Sequence, residues 1–422
     1  MTAGRAGLLV VGASQAGVQL ASRLRELGYS SPIRLIGEET HPPYQRPPLS
    51  KALLTGAATA ESLTLRNAEY YRDQRITVTL GERVGGVEFS GGGSGIARAS
   101  SGARYPFDRL VLATGARPRR LDLPGADADG VLYLRDLDSA LRLRDRLSRA
   151  RVVVVVGGGF IGLEAAATAR AQGRQVAVVE AGPQLMGRAL GAPTASYLLD
   201  AHRAAGIDFH LGTAPRRIVT ADGAATGVEL ADGIVLDADV VLVGVGVVPR
   251  DELARAAGLD CADGVVVDRR SLASDGVTVA VGDCANLPDP TPGAAETSRL
   301  RLESVDNAVE QANAAAWTVL GEDRTYRSVP WFWSDQGAFK LQIAGLRQLG
   351  DDALVRPGAK PGRRTTLYYR GDRLVAAECV NAPADFLQVK KALADERHPP
   401  RAVVADPSVP LKSILADASA LA

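Results

Sequence analysis

Cysteine is scarce: three in 422 residues, Cys261, Cys284 and Cys379. They are odd in number and widely spaced, with no CxxC pair and no Cys/His cluster, so neither a disulfide framework nor a metal centre is expected. Net charge is nearly absent as well, 49 basic against 48 acidic side chains leaving +1. A surface so balanced has no global field for nucleic acid or anionic lipid, and a charged partner must find a local patch. No uncharged apolar stretch approaches the roughly 20 residues of a membrane helix. The opening MTAGRAG reaches the apolar run Leu8 to Val11 without the basic and apolar regions of a secretion signal. The expectation is a cytoplasmic protein of a reducing compartment, with neither membrane nor nucleic acid as partner.

What is abundant is glycine, 45 residues or roughly 11% against a usual ~7%. Glycine serves where a backbone turns sharply or lets a ligand approach, which points to nucleotide loops. Length suggests two to four domains, and 46% apolar with 23% charged residues is enough to bury their cores.

The apolar run Leu8 to Val11 stops at Gly12, and a helical period follows through Leu20, Leu24 and Leu27, then a second strand at Ile33 to Ile36. The same grammar returns at Val152 to Val156, Gly157, a helix from Ile161 to Gln172, and a strand from Val176 ending at Glu180. Two such βαβ units predict two nucleotide-binding domains. Between them, residues 76–108 read as short alternating strands with a GGGSG tip. A buried strand with a Gly turn is predicted over 110–116 and again over 240–248, a third strand over 277–281 ending at Gly282-Asp283, and a helix over 304–320. From Pro330-Trp331-Phe332-Trp333 onward the pattern becomes alternating strands and a final helix. The fold class is α/β, with two Rossmann-like nucleotide-binding domains plus a C-terminal α+β domain. The expected boundaries are 1–118 and 246–328 for a discontinuous first nucleotide-binding domain, 119–245 for an inserted second one, and 329–422 for the last.

The second turn, Gly157-Gly158-Gly159-Phe160-Ile161-Gly162, fits G-x-G-x-x-G in full, between a strand and a helix. Gly157 permits the turn, Gly159 lets the backbone meet a pyrophosphate at the positive helix end, and Gly162 lets helix and strand pack closely. Glu180 is placed to accept hydrogen bonds from a ribose diol and to repel a 2'-phosphate, which favours NADH, although Arg188 lies nearby. The first turn, Gly12-Ala13-Ser14-Gln15-Ala16-Gly17, departs from the pattern at Ser14. Glu38 at the end of the next strand supports it, as does Asp283, whose carboxylate suits a sugar alcohol such as the ribityl chain of FAD.

The segment "PPYQRPPLSK" at 42–51, together with "LVLATGARPR", "VVGGGFIGLEAAATA", "AVGDCAN", "RLESVDNAVEQA" and "VPWFWSDQ", resembles the FAD-dependent NADH:ferredoxin reductases of the putidaredoxin reductase type. The likeness runs from Leu8 to about Ile414 in matching order, and implies nucleotide-binding domains of the glutathione reductase type, the discontinuous one for FAD and the inserted one for NAD. It implies FAD contacts at Ala16, Glu38, Lys51, Val84, Arg135, Asp283 and Val305, with Arg46 and Thr114 lining the same cleft. Ala113, Gly115, Ile161 and Gly282 lie in these strings and Gly12, Ser14 and Gly17 in the first glycine turn, and these with Gly244 are the remaining expected cofactor-binding positions. It also implies that Lys51 lies beside the flavin ring, paired with Glu164 of "IGLE", and that Trp333 lies against the flavin edge. An ammonium there stabilises charge developing on the ring, and a carboxylate keeps it placed. The helix begun at Glu303-Ser304-Val305 would aim its N-terminal amides at the pyrimidine end.

In dithiol flavoenzymes of this fold a cysteine pair follows the second strand; here Pro47 to Leu54 holds none, which argues against disulfide reduction. Cys284 is most simply a small buried residue. The implied reaction passes electrons from NADH through FAD to a [2Fe-2S] ferredoxin that serves a monooxygenase or dioxygenase. Two rivals remain open: a reductase for rubredoxin or a small acceptor, and a redox-sensing flavoprotein like apoptosis-inducing factor. Lys340, Lys390, Lys391 and Lys412, with Arg356, Lys360, Arg363 and Arg364, make the C-terminal region a basic docking face for an acidic ferredoxin, an ordinary solvated surface being the alternative.

Overall fold

Leu8–Val11 is buried at all four residues, as a strand must be when both faces of its sheet are covered. The computed structural model describes residues 6–291, 293–358 and 360–416. By internal contacts the chain divides into two units: residues 1–45, 60–117 and 247–330 form one, and residues 46–59, 118–246 and 331–422 the other.

In the first unit Leu8–Val11 is the middle strand of five, all parallel, in the order Val279–Ala280, Arg109–Leu112, Leu8–Val11, Ile33–Ile36, Ile76–Thr79. The helix Gln15–Glu26 returns from its carboxyl end and packs against the helix Val305–Val319. Ala308, Ala312, Ala315 and Ala316 are small enough for that approach, and Leu20 and Leu24 fill the remaining space. The glycine-tipped segment forms a three-stranded antiparallel sheet, Val84–Gly91, Ser94–Ala99 and Arg104–Phe107.

The second unit carries a matching parallel sheet, ordered Ile207–Leu211, Gln175–Glu180, Val152–Val156, Val240–Val243, Val131–Tyr133. Its C-terminal module is a five-stranded antiparallel sheet, ordered Trp331–Gln336, Phe339–Gly345, Arg373–Val380, Arg364–Arg370, Asp352–Pro357. The helix Pro383–Ala394 covers one face of it with Phe386 and Val389. Among the described residues no helix is long and apolar enough to cross a membrane.

Two expectations are corrected. The strand expected over 277–281 is only Val279–Ala280, because Asp275 Oδ1 takes the amides of Val277 and Thr278 at 3.1 and 2.9 Å and Gly282 turns the chain. The strand with a glycine turn expected over 240–248 is present, as Val240–Val243 followed by a bend at Gly244 to Gly246. Arg356 does not belong to a docking face. It is 5% exposed, and its guanidinium donates to the carbonyls of Val404 at 2.6 Å, Asp406 at 2.7 Å and Val409, tying down the C-terminal segment. Arg364 is also engaged, donating to Pro193 O at 3.2 Å and lying 4.5 Å above the Tyr197 ring.

Candidate active site

In the first unit the turn after Leu8–Val11 holds Gly12 at φ +122°, and a Cβ there would sit 2.0 Å from Ala113 O. Only glycine brings the two loops this close. A Cβ on Gly17 would strike Gly12 O at 2.0 Å, so the helix start is pressed onto the turn. Ser14 is the N-cap but its side chain makes no capping bond, which leaves the first-turn amides to a ligand or to water. Glu38, at the end of the neighbouring strand, forms ion pairs with Arg250 and, at 3.8 Å, Arg83. Thr114 Oγ1 donates to Arg250 O at 2.6 Å, with Ala113 and Val84 buried beside the same strands. Asp283 lies in a single 3-10 turn, Gly282–Cys284, whose first amide is held by Gln311 Oε1 at 2.8 Å. Gln311 is 1% exposed and belongs to the helix that begins at Val305. Neither Arg250 nor Gln311 is visible as a site residue in the sequence, since each acts through polar contacts with residues about 30 or more positions away in the chain. Cys284 is fully enclosed and burial pushes its thiol up, so it is a packing residue and no nucleophile.

The second unit repeats the turn. Gly157 has φ +107° and a Cβ on it would meet Gly244 O at 2.5 Å, while Gly162 would meet Gly157 O at 2.4 Å. Gly159, the N-cap of the helix Phe160–Ala171, has no side chain and only Gly244 O near its missing Cβ, at 3.8 Å. Beside it Glu180 accepts from the amides of Gly158 and Gly182, both at 2.7 Å, which fixes the carboxylate at the strand end. Arg188 is exposed, with its guanidinium 3.2 Å from where a Cβ on Gly246 would stand. Open helix starts beside carboxylates fixed at strand ends are what a dinucleotide's pyrophosphate and ribose require, and both turns fit one.

The helix Phe160–Ala171 presents every fourth residue to one side. Phe160 meets Phe332 with ring centroids 4.5 Å apart. One turn on, Glu164 Oε2 takes the Lys51 ammonium at 2.7 Å and the Ser50 hydroxyl at 2.5 Å, and its Oε1 takes the Ser334 hydroxyl at 2.7 Å. A further turn on, Thr168 Oγ1 donates to Ser50 O at 3.1 Å. Lys51 also donates to Pro47 O at 3.1 Å, and Arg46 Nη1 to Arg135 O at 2.7 Å. Trp333 points to the opposite face of its strand from Ser334, as alternation demands, and stacks on Trp331 at 5.3 Å. Ser50, Ser334, Gln336 and His202 escape a reading of the sequence, although polar residues alternating behind Phe332 on a buried strand were the available signal.

Two glycine turns of one design, each on its own five-stranded parallel sheet, define a protein that handles two dinucleotides, and the turns' neighbours suit FAD and NAD(H). The chain belongs to the pyridine nucleotide-disulphide oxidoreductase family, whose profile matches residues 7–312, and a reductase C-terminal domain matches 331–415. It is 43% identical to rhodocoxin reductase of Rhodococcus erythropolis over 92% of this chain and 90% of that protein. Among solved structures it is similar to the ferredoxin reductase for the CYP199A2 system from Rhodopseudomonas palustris. There the TM-score is 0.92 and the identity 41%, covering 97% of this chain and 99% of that one. A crystal structure of the covalent putidaredoxin reductase–putidaredoxin complex gives TM-score 0.92 and 37% identity over 98% and 99% of the chains.

Proposed function

We propose that this chain is an FAD-dependent NADH:ferredoxin oxidoreductase of the cytoplasm, passing electrons to a [2Fe-2S] ferredoxin that serves an oxygenase. The observation that carries the reading is the Lys51–Glu164 ion pair, in a chain with two dinucleotide turns and no cysteine in the 47–54 segment. FAD bound there would supply the means to take two electrons from NADH as a hydride and release them one at a time, as an iron-sulfur acceptor needs.

The residues of this chain do the rest. Gly12, Ser14, Ala16 and Gly17 hold the FAD pyrophosphate at the start of the helix Gln15–Glu26, and Glu38 its ribose. Asp283, with Gly282, accepts from the ribityl hydroxyls, while Val84, Ala113, Thr114, Gly115 and Val305 complete the contacts from that unit. In the second unit Gly157, Gly159, Ile161, Gly162 and Gly244 receive NADH, whose adenosine ribose is held by Glu180 in preference to a 2'-phosphate. Arg46 and Arg135 line the flavin cleft, and Lys51 brings positive charge to where hydride arrival builds negative charge. Glu164 holds Lys51, and Trp333 shields the ring edge. No side chain needs to act as general base, so the work is alignment and charge stabilisation.

The ferredoxin is acidic and docks on the C-terminal module. Lys340, Lys391 and Lys412 are exposed there, and the Lys390 ammonium lies 4.8 Å above Trp331, the ring stacked on Trp333. Steady-state NADH oxidation against a panel of acceptors tests the assignment. [2Fe-2S] ferredoxins are expected to give the highest kcat/KM, and a preference for rubredoxin, or turnover with small acceptors alone, would refute it.

A further inference from the structure

Behind Glu164 the polar contacts do not stop. Ser334 and Gln336 sit on the strand Trp331–Gln336 and His202 on the helix Ala192–Ala204, each at most 1% exposed. His202 Nε2 lies 2.8 Å from Gln336 Oε1, Gln336 Nε2 donates to Ser334 Oγ at 3.1 Å, and Ser334 donates to Glu164 Oε1 at 2.7 Å. The orientation of the Gln336 amide, whose NH2 faces the Met186 thioether that can only accept, sets the direction of each bond. An amide oxygen can only accept, so His202 must donate through Nε2, and burial, which lowers its pKa, keeps the ring neutral. With Gln336 Oε1 occupied, its NH2 group faces Ser334 and, at 3.4 Å, Met186 Sδ. Ser334 receives that N–H on its oxygen and has a single proton left, which goes to the carboxylate.

We propose that His202, Gln336 and Ser334 are positioning residues whose one-way chain of hydrogen bonds aims the Glu164 carboxylate, and through it the Lys51 ammonium. The proposal rests on the reductase reading given above. If packing were the only need, apolar residues would fill this space at no desolvation cost. A polar chain instead ends on the acid that holds Lys51. Turning the Gln336 amide over would offer Ser334 an acceptor, and its proton would leave Glu164. In its Nε2–H tautomer His202 opposes that flip, which would set two donors face to face and take the N–H from Met186 Sδ, and the Phe339 ring, 5.5 Å away and edge-on, helps hold His202 itself.

The test uses FAD-loaded protein with two readouts. Competitive acetylation followed by peptide mass spectrometry measures Lys51 reactivity against exposed Lys412, and anaerobic stopped flow measures flavin reduction by NADH. In Ser334→Ala and Gln336→Met, relative Lys51 labelling is expected to rise about threefold or more. The limiting reduction rate is expected to fall about tenfold, the effect of one lost buried hydrogen bond, with the NADH dissociation constant unchanged. His202→Gln, which keeps a donor, should stay within about twofold of wild type, and His202→Phe should match Gln336→Met. Ser334→Ala removes one oxygen and introduces no overlap, so it decides alone if Gln336→Met does not fold. Unchanged labelling and rate in Ser334→Ala would overturn the proposal, as would equal losses in the two His202 variants. If NADH fails to reduce even the wild type, the reductase reading falls, while Lys51 labelling still decides whether the chain orients the pair.

Discussion

Lys51 and Glu164 share an ion pair unevenly: the acid side chain is 6% exposed and the base 21%, so burial costs fall mainly on the carboxylate. Removing the base leaves that carboxylate with its two serine donors but no countercharge. Lys51→Met is therefore expected to retain FAD and to be reduced by NADH about tenfold to a hundredfold more slowly, measured by anaerobic stopped flow. An unchanged rate would remove Lys51 from the mechanism. A second buried acid, Glu378, accepts from Gly191 N at 2.9 Å and from Tyr368 Oη at 2.8 Å, with its pKa raised by burial. Below the unfolded carboxyl value both states hold the proton. As pH rises between the unfolded and folded values only the unfolded chain loses it, so folding stability falls across that window. Glu378→Gln should flatten this decline in urea melts taken across the acid range, and an identical slope would show that Glu378 does not titrate there. Neither acid was legible from residues alone: one helix acid looks like any other, and Glu164 was singled out only through its resemblance to a family string.

The strand-turn-helix elements were legible because their chemistry is local. A glycine after a buried run, followed by a helical period, leaves few alternatives, and both turns appear where the spacing put them. Less visible was how elements end, since the Asp275 contacts that shorten the strand Val279–Ala280 depend on side-chain direction. The basic run at 356–364 misled for a similar reason, because charge counted along the chain does not reveal that Arg356 points inward. Gly159 gives a prediction that separates fold from ligand at this scale. Its backbone is at φ −82° and a Cβ would come no nearer than 3.8 Å to Gly244 O, so alanine fits the protein. Gly159→Ala should leave the melting temperature almost unchanged and weaken NADH binding about tenfold or more by crowding the pyrophosphate. Unaltered NADH affinity in a titration would place the dinucleotide elsewhere.

At the scale of the whole molecule the near-zero net charge conceals a basic C-terminal module, and steering by such a face weakens with salt. Ferredoxin reduction is expected to slow as ionic strength rises while NADH reduction of the flavin changes little. Reversing Lys340 and Lys412 should weaken the ferredoxin step more than reversing Arg363, and salt-independent turnover would mean that docking is apolar. The central claim concerns the number of electrons and their destination. It is tested most directly by anaerobic titration of an acidic [2Fe-2S] ferredoxin with NADH in the presence of catalytic amounts of this protein, followed by absorbance. The account predicts two ferredoxins reduced per NADH consumed, with no reduction by FAD-free protein. Flavin that is reduced by NADH yet passes no electrons to any [2Fe-2S] ferredoxin would contradict it.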